Sequence, residues 1–325
     1  MEKQEKSLSD WRMLNVVTGE TKEIREGDRL VRGTSAKAYK DLLEKEKQKK
    51  KDRKTSRLTQ GTFVRVVHNK YREIERELSL PQCSVLLDLF FCVTLKSKNY
   101  LVHTSGDKEG EKMNLKDISL YLNKSESNTK KLLGELVKLE ALIREKNPKN
   151  KKENFYLLNS DFFTAAKGNG QKIKFTKMFH NKLNEVRSKL NDKQYGALLK
   201  FIRNFHYQTY YLVANPDHNV LIEPNLSVAD NLLLEENEFV LHHLNQTQLA
   251  EIIGIKDDTT IKGYVDAYEK AGAFMVHKQH KSYRFIVHPD LMFRKDENGE
   301  DEYTKAIRVQ FKQLESKKKK AKKRK

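Results

Sequence analysis

Between Asn114 and Leu158 the apolar positions of the chain change period twice. Ile118 and Leu122 lie four apart, the spacing of one helical face, and the polar pair Asn123–Lys124 ends that run. Leu132, Leu133, Leu136, Val137 and Leu139 then recur at helical spacing and predict a second helix, with Ser127 as its N-cap. Leu142–Glu145 and Asn154–Leu158 read as two strands around a hairpin tip at Asn147–Lys152. Helix, turn, helix, strand, basic tip and strand is the order of a winged helix-turn-helix. Asn128, Thr129, Lys130 and Lys131 stand at the N-terminal end of the second helix, the end such a unit presents to base edges in the major groove.

The same pattern returns between Asn245 and Val287. Leu249 takes the place of Ile118, Ile253 of Leu122, Gly254 of Asn123 and Asp258 of Ser127. Tyr264, Tyr268 and Gly272 fall on Leu133, Val137 and Ala141, one constant offset with no gap. His277–Lys281 makes a second basic tip and Tyr283–Val287 a returning strand. Two similar units follow from this, not a solenoid.

The flanking patterns complete the layout. Met13–Ile24 reads as a small hairpin around Gly19, which suits a turn with positive φ. Gly61–His68 alternates apolar and polar residues, as in a strand or the entry to a helix. Pro81 opens an almost wholly apolar helix over Gln82–Leu95, and Leu183–Tyr211 forms the matching lead-in of the second unit. Gly168 and Gly170 mark a joint between them. The expected fold is α+β and mainly helical. It comprises a hairpin and basic arm over residues 1–60, winged-helix domains over 61–165 and 171–295, and a tail over 296–325. Residues 211–244 have no counterpart in the first unit and fit a strand pair, a lid or a dimer contact equally.

Charge sharpens this picture. Lys and Arg number 64 against 45 Asp and Glu, a net charge of +19 that points to a polyanionic partner. The excess is gathered into Lys45–Arg57 and Lys317–Lys325, where like-charge runs favour a disordered arm and tail. No run approaches the roughly 18 apolar residues that cross a bilayer, and the first ten residues have no apolar stretch of a secretory signal. Cys83 and Cys92 lie in apolar surroundings, which fits buried thiols in a reducing compartment. A cytoplasmic protein without a membrane partner is expected.

The candidate chemistry is recognition. Asn can read adenine through two hydrogen bonds and Lys can donate to guanine, so Asn128, Thr129, Lys130 and Lys131 are the first candidates, with Thr259, Thr260 and Lys262 in the second helix. Lys146, Lys149, Lys151 and Lys152, and then Lys278, His280, Lys281 and Arg284, suit phosphate contact from the hairpins. The bland alternative for each is solvated surface. Catalysis has little to stand on. The GxxxxGK[ST] phosphate loop is absent, and the histidines do not flank a hydrophobe as a metal-dependent nicking enzyme requires. Tyr264 and Tyr268 have a YxxxY spacing, but apolar neighbours assign them to a core. No metal or cofactor is expected.

The TGE hairpin at Thr18–Glu20, the GTFVRVV stretch at Gly61–Val67 and the ending NFYLLNSDFFTAAKG resemble the RepL-type replication initiators of Gram-positive plasmids and phages, over about residues 13–180. That resemblance implies origin binding through a winged helix without nuclease or ATPase activity. This chain departs from the pattern by its second unit and longer arm. Tandem winged helices are similar instead to the other large class of plasmid initiators, whose two domains grip origin repeats. The resemblance implies double-stranded DNA as partner, host replication proteins beside it, and a homodimer as one arrangement. A transcription regulator of phage or plasmid origin, or a winged-helix scaffold that binds protein, are the competing readings.

Overall fold

The structure, a computed structural model, describes residues 12–14, 21–23, 44, 62–165, 174–223, 225–234, 240–279, 282–294, 299 and 301–323. Residues 1–55 and 56–325 form separate compact units. In the first, β1 (Arg12–Leu14) and β2 (Thr21–Glu23) pair antiparallel, with Leu14 facing Thr21. The N-terminal hairpin is thus present, and its turn at 18–20 lies outside the described residues, as does the basic run 45–57.

The second unit is mixed α+β and mostly helical. It opens with β3 (Phe63–Val67), α1 (His68–Ile74) and α2 (Leu80–Phe90). Ser79 caps α2, accepting from the Gln82 amide while the Gln82 side chain accepts from the Ser79 amide, and Pro81 sits in the first turn where no amide is needed. Two helices joined by a tight turn follow, α3 (Leu115–Tyr121) and α4 (Glu126–Lys138), then the hairpin β4 (Leu142–Lys146) and β5 (Asn154–Leu158), then β6 (Phe163–Thr164). The order then repeats as β7 (Phe175–Phe179), α5 (His180–Arg187) and α6 (Asp192–Lys200). After the short α7 (Val228–Asn231) come α8 (Gln246–Ile253), α9 (Asp258–Ala271), the hairpin β8 (Phe274–Gln279) and β9 (Ser282–Val287), and β10 (Met292–Phe293). The long helical lead-in expected over 183–211 is broken at Ser188–Asn191, because Asn191 caps a new helix through the same reciprocal bond with Gln194.

One sheet, in the order β10-β7-β3-β6, joins the two repeats. β3 and β7 pair antiparallel with Arg65 opposite Lys177, Phe63 opposite Phe179 and Val67 opposite Phe175. Those strands are also equivalent in the repeat. Phe63 to Lys70 reads FVRVVHNK and Phe175 to Lys182 reads FTKMFHNK, so the pairing is centred on equivalent residues. That is the signature of an internal pseudo-twofold axis. β6 on β3 and β10 on β7 complete it. A single apolar core runs through both repeats, from Val64 and Phe163 to Phe201, Tyr268 and Phe293.

The axis also relates α2 to α6, which cross so closely that the backbones touch at Gly196. Two ion pairs flank the crossing. Arg187 holds Asp88 through Nε at 2.9 Å, and Arg203 holds Glu75 at 2.9 Å while the Lys200 ammonium donates to the Glu75 carbonyl. Position 75 is the equivalent of 187 and position 88 of 200, so the charges are reversed between the two sides. Each repeat therefore complements the other and would repel its own copy. Asp88→Arg should cost about 2–3 kcal/mol by setting two cations together in a partly buried place, and Arg187→Asp added to it should recover much of that loss. Urea unfolding of the four members of the cycle measures the coupling; additive losses would remove the pair from the interface energetics.

One expectation is corrected here. The run over 317–325 is expected to be disordered, yet α10 (Glu302–Lys323) is one helix that continues into the lysines as far as residue 323, and residues 324–325 lie outside those described. Ile307 and Phe311 anchor it in the core, Tyr303 donates to the Thr209 carbonyl at 3.1 Å, and lysine continues a helix once it has started. Between α2 and α3 the chain makes isolated bridges, Tyr100 with Leu157 and Val102 with Lys112. The stretch 211–244 packs a small satellite core of Val213, Val220 and Leu241 against the second repeat.

Candidate nucleic-acid interface

In both repeats the same local chemistry sets a pair of helices joined by a tight turn. Asn114 caps α3 in a reciprocal bond with Asp117 at 3.0 Å, and Asn245 caps α8 with Gln248 at 2.9 Å. The chain then reverses through a left-handed residue, Asn123 (φ 50°) in one and Gly254 (φ 81°) in the other. The second helices start earlier than the spacing suggests. Ser125, not Ser127, caps α4, and Asp257, not Asp258, caps α9. Proximity to the first helical amides decides this, since a cap must reach the amide of the second or third residue. The Asp257 carboxylate accepts from the Thr260 hydroxyl and amide, both at 2.6 Å, and these bonds hold it below the usual carboxylate range.

The caps Ser125 and Asp257 stand one residue further apart in sequence than the turn residues Asn123 and Gly254. The gapless alignment through Gly272 is therefore corrected by a one-residue slip at the turn. After the slip the buried positions coincide: Thr129 with Ile261, Leu133 with Val265, Leu136 with Tyr268. Glu140 and Gly272 then share the left-handed position that ends each helix. Asn128 becomes the equivalent of Thr260, and Lys130 of Lys262.

This register moves one candidate. Thr129 is 0% exposed, on the inner face of α4, so it cannot touch a base as placed here. Its hydroxyl has no hydrogen-bond partner among the described residues. Asn128, Lys130 and Lys131 are exposed at the start of α4, as are Thr259, Thr260 and Lys262 on α9. The two sets share one local frame, a polar residue and a lysine two positions on, at the N-terminus of a helix whose opposite face is buried.

The hairpins differ. The tip after β4 is folded by asparagine side chains: Asn147 accepts from the Lys149 amide at 3.0 Å and Asn150 from the Lys152 amide at 3.2 Å. Lys146, Lys149, Lys151 and Lys152 consequently point into solvent. On the second hairpin Lys278 is exposed, with its ammonium 5.4 Å from the Tyr283 ring centre. Arg284 is half-buried midway along β9, opposite His277 and beside Tyr211 and His243. His280 and Lys281 lie outside the described residues.

Compared with family models, curated proteins and solved structures, the chain matches none.

The two tyrosines of the YxxxY spacing are core residues. Tyr268 is fully buried and donates to the Gln194 carbonyl at 2.8 Å, and Tyr264 packs edge-on against its ring. Burial pushes both phenols up, opposite to what a nucleophile needs. Burial likewise pushes the Cys83 and Cys92 thiols up to about 12. Among the described residues no cluster of three metal-ligating side chains occurs, and no helix is long and apolar enough to cross a membrane.

Proposed function

We propose that this chain binds double-stranded DNA in a sequence-specific way through two winged helix-turn-helix units, and that it serves as a plasmid or phage replication initiator. The observation that carries the reading is the paired set Asn128 and Lys130, Thr260 and Lys262. Equivalent positions at two second helices are polar and exposed, while the residue between them, Thr129 in one and Ile261 in the other, is buried. Helix N-termini of this kind deliver side chains to base edges, and the exposed lysines of the hairpins suit phosphates. A net charge of +19 supplies the long-range attraction.

The pseudo-twofold adds a geometric expectation. Two reading helices related by a dyad address two half-sites in inverted orientation. The side chains differ between them, so the half-sites should differ in sequence. Selection from a random duplex library should therefore enrich one site with two unequal, inverted half-sites. Lys130→Ala should relax or weaken one half and Lys262→Ala the other, by about 1–3 kcal/mol each. Binding should also fall roughly a thousandfold between 50 and 200 mM salt if six or more phosphates are engaged. A library that yields no enriched site, or a flat salt dependence, sinks the reading.

Replication is separated from regulation by function. The coding region with its flanking DNA, placed on a plasmid without a replicon in a Gram-positive host, should replicate, and the Lys130→Ala/Lys262→Ala version should not. The proposal assigns the chain to the cytoplasm, with host replication proteins as further partners.

A further inference from the structure

A cleft of about 1060 Å³ lies where α1, the start of α2, the end of α6, the 214–217 segment and the last turn of α8 meet. Five cationic side chains line it: Arg72, Arg76, Lys174, Lys200 and Arg203. Three acids, Glu75, Asp217 and Glu251, face them. Glu75 is occupied with Arg203, and Asp217 with Lys174 and Arg294 at 2.9 and 2.7 Å. Arg72 on α1 and Arg76 in the turn that follows it are exposed and have no side-chain partner among the described residues. Leu80, Pro216 and Ile252 give the cleft an apolar wall.

The pseudo-twofold supplies an internal control. The equivalent cleft, about 490 Å³, is lined by His180, Asn181, Arg187, Asp88, Phe91 and the Leu122–Asn123 turn. There Asn184 stands at the place of Arg72, Ser188 at that of Arg76, Asp88 at that of Lys200 and Phe91 at that of Arg203. One acid becomes a base, Glu75 to Arg187, and the two charges of that cleft cancel as a pair. Lys174, Lys200 and Arg203 are held by partners within the fold, whereas Arg72 and Arg76 have no such partner among the described residues and no cationic equivalent across the axis.

We propose that the larger cleft binds a nucleoside polyphosphate. Arg72 and Arg76 are the two guanidinium groups of the cleft left without a partner, and such a pair can clamp linked phosphates bidentately. The volume is at the upper end for small-molecule sites, enough for a nucleoside with two or three phosphates. The base lies on the apolar wall of Leu80, Pro216 and Ile252. Glu251 to Gly254 form part of the same wall and include the turn that aims α9, so occupancy bears on how the second helix is presented. The inference is independent of DNA binding.

The test uses the full chain without DNA. Titration calorimetry and thermal melting with ATP, GTP and pyrophosphate should give saturable binding and a rise in Tm, whereas sulfate at equal ionic strength should give neither. Arg72→Gln/Arg76→Gln, at exposed positions that leave the core untouched, should weaken binding roughly tenfold or more. A short random-sequence duplex is the second arm. Loss of duplex affinity in the double variant with no nucleotide binding by the parent would overturn the proposal and make the cleft part of a nucleic-acid track. Nucleotide binding that the double variant leaves unchanged would overturn it as well.

Discussion

Gly196→Ala should destabilise the second unit by about 3 kcal/mol or more, the response of a packed site forced to admit one carbon. A Cβ at this position would stand 2.0 Å from the Leu80 carbonyl oxygen and 2.8 Å from the Ser84 nitrogen. Both are backbone atoms inside α2, so no side-chain rotation relieves the contact. α2 and α6 would have to separate, and with them the two repeats they hold together. Ser84 is the pseudo-twofold equivalent of Gly196, so only one side of the axis needs the bare backbone. Gly134 and Gly263 are the contrast. Each is helical, and a Cβ there meets nothing within 4 Å. Gly134→Ala should raise stability by about 0.5–1 kcal/mol through helix propensity and a more restricted unfolded chain. Urea denaturation of the two variants side by side decides it. A Gly196→Ala midpoint equal to the parent would show that the helices cross with slack.

Acidification should unfold the protein early, with most of the loss between about pH 6.5 and pH 4. Burial holds the imidazoles of His206 and His180 down at about 4 and those of His68 and His288 at about 3. The contacts give the same direction. His206 is fully buried, its Nε2 bonds the His218 carbonyl, and its Nδ1 faces the Gln208 and Thr209 amides, which only a neutral ring can satisfy. The His288 Nδ1 accepts from the Asp290 amide at 3.0 Å. Around His288 stand Lys182, Arg308, Asp290 and Glu185. An unfolded histidine takes up its proton near pH 6.5, whereas these take it up only well below that. The unfolded state therefore binds more protons throughout this window. Stability is whole above the unfolded value and falls with pH until the folded values are reached. By pH 5 the loss is roughly 1–2 kcal/mol for each of the four. Together that is comparable with the whole stability of an ordinary domain, about 5–15 kcal/mol. Circular dichroism of urea unfolding at pH 7.5, 6 and 5 measures the slope. A stability that does not change across that range would mean these rings are protonated in place.

Local chemistry was legible in the chain where a short-range pattern is sufficient. The turns at Asn123 and Gly254 and the strands from Leu142 and Asn154 follow from periodicity and turn residues alone. The caps were misjudged by one or two residues because Ser125 and Ser127, or Asp257 and Asp258, are equally good caps in sequence. The inward turn of Thr129 was hidden for a related reason: a threonine is polar by type, and its burial becomes visible only when Ile261 is seen at the equivalent place. The HNK residues at 68–70 and 180–182 are the signal that could have extended the repeat upstream.

Two copies of a helix pair joined by a tight turn and followed by a hairpin, the charge of the chain and the exposed lysines of the first hairpin are thus readable from residue order. These rest on neighbours a few positions apart, whose interactions the chain order specifies. Long-range pairing is what gives the copies one sheet centred on Arg65 and Lys177, lets Glu75 and Arg187 exchange charge across an axis, and brings Arg72, Arg76 and Arg203 together in one cleft. Each of those depends on which strand edge pairs with which over more than a hundred residues. No local pattern specifies such a pairing, and the free energy of one common core selects it.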